Sequence, residues 1–180
     1  TNLSNNCFQD LKDDMIQTLI EKGYRMIFSN YDQLYLDCGF SAWVGEGNNW
    51  CNPYKGWQTI YSFDPEKAVK RRGFELTPEI KKLLVGGEVP IWTEQVDSMS
   101  VEARLYPRAS ALAERLWSNP REGWYEAEQR MLAQRLRLTH RGVMADKLQP
   151  EWCLQNESQC YGKDDNPLEN RPARPRKVDE

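Results

Sequence analysis

Two short stretches carry side chains that could do chemistry together. Tyr35-Leu36-Asp37 sets a phenol and a carboxylate two residues apart, and Trp92-Thr93-Glu94 sets an indole and a carboxylate at the same interval. Side chains alternate along an extended chain, so each pair would project to one side. An indole face stacks on the apolar side of a pyranose ring, and carboxylate oxygens accept its hydroxyl protons. A phenolic hydroxyl beside a carboxylate suits a polyhydroxylated or amide-bearing ligand. Two carboxylates also suffice for acid and base in glycoside hydrolysis, but nothing in the chain says which of them would be protonated. Against this stands a bland reading, a core tryptophan with a solvated glutamate.

The elements that must hold these pairs are readable from periodicity. Phe8, Leu11, Met15, Ile16, Leu19 and Ile20 recur at helical spacing over 7–22, with Gly23 as the stop. The apolar run 24–28 reads as a buried strand leading to Tyr35 and Asp37. A long loop rich in Gly, Asn and Trp follows over 38–53, punctuated by Trp43, Trp50 and then Trp57. These indoles either pack beneath the loop, as at least one or two should, or offer stacking platforms. Thr77-Pro78-Glu79 opens a helix, with threonine as N-cap and proline in the first turn, and Gly86-Gly87 should end it. A strand over 89–92 would then deliver Trp92 and Glu94. Helices are expected over 101–117, with Pro107 as its true start or a kink, and over 124–141, stopped by Gly142. The order is α/β alternation, which implies parallel strands and crossover helices.

Two strands cannot complete such a sheet, because each would leave an open edge. The chain therefore reads as the C-terminal portion, about the last two strand–helix units, of a (β/α)8 barrel, where loops after the strands carry the chemistry. Residues 1–148 would belong to that barrel, 149–162 to a short cystine-closed loop, and 163–180 to a charged, proline-rich tail expected to be disordered. The start at Thr1, without methionine, suggests a processed or cut chain.

Composition narrows the partners. A net charge of −3 and a basic run confined to Arg171–Lys177 argue against nucleic acid. No apolar run approaches the roughly 20 residues a membrane span needs. The single histidine, His140, leaves no room for His-based triads or His-rich metal sites, so neither metal nor cofactor is expected. Cys38–Cys51 and Cys153–Cys160 have spacings that suit local disulfides, with Cys7 left over. With the acceptor motifs at Asn2 and Asn156, they point to the secretory pathway: secreted, lysosomal or cell-surface. Arg108, Glu114 and Arg115 read as structural ion pairs near the site.

Taken together, residues 29–39 (Ser-Asn-Tyr-Asp-Gln-Leu-Tyr-Leu-Asp-Cys-Gly), 47–51 (Gly-Asn-Asn-Trp-Cys), 86–95 (Gly-Gly-Glu-Val-Pro-Ile-Trp-Thr-Glu-Gln) and 107–117 (Pro-Arg-Ala-Ser-Ala-Leu-Ala-Glu-Arg-Leu-Trp) closely resemble the β-N-acetylhexosaminidases of glycoside hydrolase family 20. The flavour is that of insect enzymes acting on chitooligosaccharides or N-glycans. The resemblance covers about residues 8–162, and four motifs in order are far more specific than one.

This resemblance implies substrate-assisted catalysis, in which the substrate's own 2-acetamido oxygen attacks the anomeric carbon. Tyr35 would hold that oxygen in line, a proximity effect. Asp37 and Glu94 would anchor the terminal sugar's hydroxyls, Trp92 would line the pocket, and Trp50 would stack the next sugar. The implied partners are an N-acetylglucosamine-terminated glycan or chitooligosaccharide, the remainder of the barrel, and a second copy in a homodimer. The family's catalytic Asp-Glu pair has no counterpart here, since the only Asp-Glu dipeptide is Asp179-Glu180 in the tail. The isolated chain is therefore expected to be inactive. A non-catalytic, lectin-like relic is the competing expectation. The stretch 63–75, with Lys67, Lys70, Arg71 and Arg72, lengthens the connection between the two site segments. A charged pocket rim there would favour branched N-glycans over linear chitin, and the preference between the two stays open at this point.

Overall fold

The computed structural model describes residues 15–40 and 51–156. Expectations placed on Asn2, Cys7, Trp43, Trp50, Cys160 and the tail from 163 lie outside those residues. The chain divides into two compact units, Thr1–Asp146 and Lys147–Glu180.

Within the first unit, helix α1 covers 15–21 and is closed by Gly23 N–H donating to Ile20 O at 3.0 Å. Strand β1, Met26–Phe28, is two residues shorter at its start than the apolar run suggests. It pairs in parallel with β2, Leu84–Gly87, in the register Met26 with Leu84, Ile27 with Gly86 and Phe28 with Gly87. Val85 is the extra residue of an irregularity between the first two pairs. The sheet is two-stranded among the described residues. Met26 and Phe28 are buried, whereas Ile27 and Val85, 64% and 55% exposed, stay open to solvent. Among the described residues, helices cover the sheet on one face only.

Among the described residues, three helices lie between the strands. α2 is Trp57–Tyr61, α3 is Pro65–Lys70, and α4 is Pro78–Leu83. The Thr77 hydroxyl caps α4 by accepting from Ile80 N–H at 3.3 Å, with Pro78 in the first turn as expected. α3 has the same device, Asp64 followed by Pro65, with the Asp64 carboxylate accepting from Glu66 N–H at 2.9 Å and Lys67 N–H at 3.3 Å. The stretch 63–75 does not read as a rim. Phe63 and Val69 are buried, and Phe63 meets Phe28 at 5.7 Å, so the segment belongs to the helical layer behind the sheet.

The expected strand over 89–92 is absent. Pro90 has no N–H to give a ladder, so pairing stops with the bond from Glu88 N–H to Phe28 O at 2.9 Å. Gly86 and Gly87 are strand residues rather than a helix stop. A Cβ on Gly87 would stand 3.2 Å from Phe28 O and 3.3 Å from the Phe63 ring, so the strand can approach its neighbours closely there. The single helix expected over 101–117 is two: α5, Val101–Leu105, and α6, Arg108–Ser118. The break falls at the cis Tyr106–Pro107 bond, with Tyr106 extended as a residue before proline prefers. α7, Trp124–His140, ends as expected just before Gly142.

α6 is the centre of the helical layer, packing on α2, α5, α7 and β2. Ile60, Tyr61, Ala111, Leu112, Ala127 and Met131 fill these contacts and are almost wholly buried. Trp57, 4% exposed, meets Trp124 edge-on at 5.9 Å, which settles one of the three indoles as a packing residue. In the second unit, α8 spans Glu151–Gln155 inside the stretch expected to be loop, opening after Pro150. Its Cys153 is buried and disulfide-bonded.

Candidate functional site

Tyr35 and Asp37 lie in a run of turns over 31–39 rather than in an extended segment. The alternation nevertheless survives in what is buried. Leu34, Leu36 and Cys38 are fully inside, while Tyr35 and Asp37 between them are half-buried, so the two polar groups share the outer side. Apolar side chains alternating with polar ones therefore fixed the orientation without a strand.

Trp92 comes to the same place by a different route from the one expected. It stands extended in the segment after β2, 52% exposed, and Thr93–Gln95 then forms one turn of 3₁₀ helix carrying the exposed Glu94. Because Glu94 is in a helical turn, period-two alternation does not align it with Trp92. The two stretches do meet. Trp92 N–H donates to the Asp37 carboxylate at 3.3 Å, and the Tyr35 and Trp92 rings are 6.2 Å apart with planes tilted by 51°. Leu36 N–H donates to Pro90 O at 2.8 Å, which ties the backbones together next to the side chains. Tyr31 also meets the Tyr35 ring, edge-on at 6.5 Å.

The Cys38–Cys51 disulfide is present, with Cα atoms 5.1 Å apart and both cysteines buried. An Asp37 carboxylate oxygen lies within 4.8 Å of both sulfurs. The sulfurs are bonded to each other and offer no thiolate, so this trio is a structural knot rather than a metal centre. Trp50 and Asn2 lie outside the described residues. Asn156 follows α8, and its side-chain amide donates to Trp152 O at 2.9 Å.

Two buried arginines on α6 hold the surroundings. The expectation of ion pairs is corrected for both, because their hydrogen bonds go to backbone carbonyls. Arg108 donates to Leu36 O at 2.7 Å, Lys55 O at 3.0 Å and Arg104 O at 2.6 Å, and its guanidinium lies 4.4 Å from the centre of the Tyr54 ring. Burial lowers its pKa, while the nearby Tyr54, Asp146 and Asp37 favour the charge. Arg115 donates to Tyr61 O at 2.7 Å, Pro120 O at 2.6 Å and Glu122 O at 3.3 Å, where α2 and the turn before α7 converge. Glu114 does form an ion pair, at 2.7 Å to Arg130, and also accepts from the Tyr61 hydroxyl at 2.8 Å. Burial raises the Glu114 carboxyl, but hydrogen bonds from Arg130 and Tyr61 outweigh it and leave the group below its ordinary value.

A groove of about 540 Å³ between α6 and α7, lined by Ala113, Glu114, Arg130 and Gln134 among others, contains none of the expected site residues. The aromatic and carboxylate corner after the two strands is the candidate site. Its chemistry, an indole and a phenol beside a carboxylate, suits stacking on a sugar ring and accepting its hydroxyl protons.

Comparison with known proteins makes the class specific. Residues 2–120 match the catalytic-domain model of glycosyl hydrolase family 20, and the chain belongs to that family. It is 53% identical over 149 residues to the chitooligosaccharidolytic β-N-acetylglucosaminidase of Ostrinia furnacalis, covering 83% of this chain and 24% of that protein. It is 51% identical over 150 residues to the protein of the same description from Bombyx mori, with the same coverage. A solved family 20 β-N-acetylglucosaminidase superimposes with a TM-score of 0.60 at 25% identity, covering 75% of this chain and 27% of that one. The chain spans about a quarter of the length of the curated relatives it matches.

Proposed function

We propose that the protein containing this chain is a β-N-acetylhexosaminidase that removes terminal non-reducing N-acetylhexosamine by substrate-assisted, retaining hydrolysis. The chain supplies one wall of the sugar pocket. Tyr35 orients the acetamido oxygen, Asp37 and Glu94 hold the sugar's hydroxyls, Trp92 lines the pocket, and Trp50 stacks the next sugar. The acid that protonates the leaving oxygen comes from elsewhere in the protein, so the chain alone is inactive. The observation that carries this reading is the meeting of the two stretches, with Trp92 N–H on the Asp37 carboxylate and the Tyr35 ring against Trp92.

The wall belongs to about the last two strand–helix units of a (β/α)8 barrel. Support comes from parallel β1 and β2, each followed by helices, and from Ile27 and Val85 left open on the face that the rest of a barrel would fill. Among the substrates, chitooligosaccharides come first. Two relatives above 50% identity carry that activity in their names, and the packing of 63–75 behind the sheet removes the basis for preferring branched N-glycans. The disulfides and sequons favour the secretory pathway, with glycosylation at Asn2 and Asn156, and a homodimer is the assembly expected.

The test uses the full-length protein. Wild type should release chromophore from an aryl N-acetylglucosaminide and outpace itself on chitooligosaccharides relative to a biantennary glycan. Asp37→Asn should raise KM and Tyr35→Phe should lower kcat. Wild-type kinetics in both variants, or hydrolysis by the 180-residue chain alone, overturns the assignment.

A further inference from the structure

We propose that Arg108 is a positioning residue of the sugar site, setting the orientation of Tyr35 and Asp37 through the Leu36 carbonyl between them. This rests on the reading of Tyr35 and Asp37 as sugar-binding groups. Leu36 is held at both ends of its backbone. Its N–H is tied to Pro90 O at 2.8 Å, and its carbonyl receives Arg108 Nη2 at 2.7 Å. The first bond links it to the segment that carries Trp92. The second fixes the peptide plane that Leu36 shares with Asp37, and therefore the direction from which the Asp37 side chain departs.

The same guanidinium also reaches Lys55 O and Arg104 O and stacks on Tyr54. Two segments that are far apart in sequence, 35–37 and 54–55, thus converge with the last turn of α5 on one planar group that is only 3% exposed. A planar fork with five N–H donors can serve three carbonyls at fixed angles. An ammonium is a point charge on a flexible stem and cannot hold them in the same geometry. Arg108 has no need to touch substrate for this.

Arg115 provides the comparison that separates positioning from mere stability. It lies on the same helix, is buried to a similar degree and also binds three carbonyls, but they belong to Tyr61, Pro120 and Glu122 rather than to the site. In the full-length enzyme, Arg108→Lys and Arg115→Lys should both lower the melting temperature. Only Arg108→Lys should also lower kcat/KM, on the order of 10²-fold for a displacement near 1 Å, and weaken inhibition by N-acetylglucosamine. Arg115→Lys should keep wild-type kcat/KM and inhibition at temperatures where it is folded.

Should Arg108→Lys not fold, Tyr54→Leu removes the ring beneath the guanidinium while keeping an apolar side chain. It should raise KM and the inhibition constant at a small cost in melting temperature. Unchanged kinetics in a folded Arg108→Lys or Tyr54→Leu enzyme, or equal kinetic losses in Arg115→Lys, overturns the proposal. If Tyr35→Phe and Asp37→Asn themselves leave kcat/KM intact, the sugar-site reading has failed. If they collapse it while Arg108→Lys does not, the positioning role alone has failed.

Discussion

Replacing Gly39 by alanine tests whether the turn after Asp37 is as tightly seated as it looks. Gly39 has φ of +87°, in the left-handed region, and a Cβ there would overlap the backbone N and Cα of Tyr54. Two costs follow. The backbone conformation costs an L-residue about 1–2 kcal/mol, and forcing packed backbone apart costs about 1–3 kcal/mol more, so the sum is about 2–5 kcal/mol. Gly73 isolates the first of these, since its φ is +82° but a Cβ would meet nothing within 4 Å. Urea unfolding of full-length Gly39→Ala and Gly73→Ala, disulfides intact, should therefore differ by about 1–3 kcal/mol. If unfolding is irreversible, half-lives at one elevated temperature replace midpoints. Because Gly39 follows Asp37 and Cys38, Gly39→Ala should also raise KM, which Gly73→Ala should not. Equal destabilisation by the two substitutions would refute the claim that Tyr54 is seated against this turn.

Other outcomes follow from the helix ends, the ion pair and the disulfide. Asp64→Ala removes a cap that accepts two N–H groups and Thr77→Ala one that accepts from Ile80 N–H and also bonds Glu79, and each should destabilise by about 1 kcal/mol, measured by chemical denaturation. Glu114 sits below the ordinary carboxylate value in the folded state, so its contribution is complete above that ordinary value and drains away as pH falls through the lowered one. Glu114→Gln should flatten that acid-side loss in a stability-against-pH series, by no more than about 1 kcal/mol because the pair is partly exposed. Reducing Cys38–Cys51, a loop with a sequence separation of 13, should cost about 3 kcal/mol and weaken N-acetylglucosamine inhibition before the protein melts. Unchanged affinity after thiol-verified reduction would uncouple that bridge from the site.

What the chain's own letters revealed depended on whether the cause was local. Thr77-Pro78 announced α4 because cap and proline act on the helix they open. Asp64-Pro65 carried the same signal for α3, so that helix was legible and overlooked. The burial of Leu34, Leu36 and Cys38 could be anticipated from apolar alternation, although the segment is turns. Pro90 contradicted a strand over 89–92 in plain view, but the apolar residues around it outweighed it. Arg108 and Arg115 were beyond sequence reasoning altogether. Their acceptors are backbone carbonyls, which every residue has, and the nearest of the site's carbonyls to Arg108 belongs to a residue 72 positions earlier. A charged side chain looks for its partner among charged letters, and here the hydrogen bonds go to carbonyls instead.

The spacing of those two arginines has a consequence for how this chain can change. Arg108 and Arg115 are seven residues apart on α6, two turns and about 10.5 Å along the axis, and so face nearly the same way. One reaches the turn that carries Tyr35 and Asp37, the other the corner between α2 and α7. α6 therefore works as a ruler, keeping the turn at 35–37 and the helical layer in step. Inserting or deleting one residue between them would swing one guanidinium by about 100° around the helix and shift it along the axis. The interval from 108 to 115 therefore cannot change in length without breaking one of the two sets of bonds.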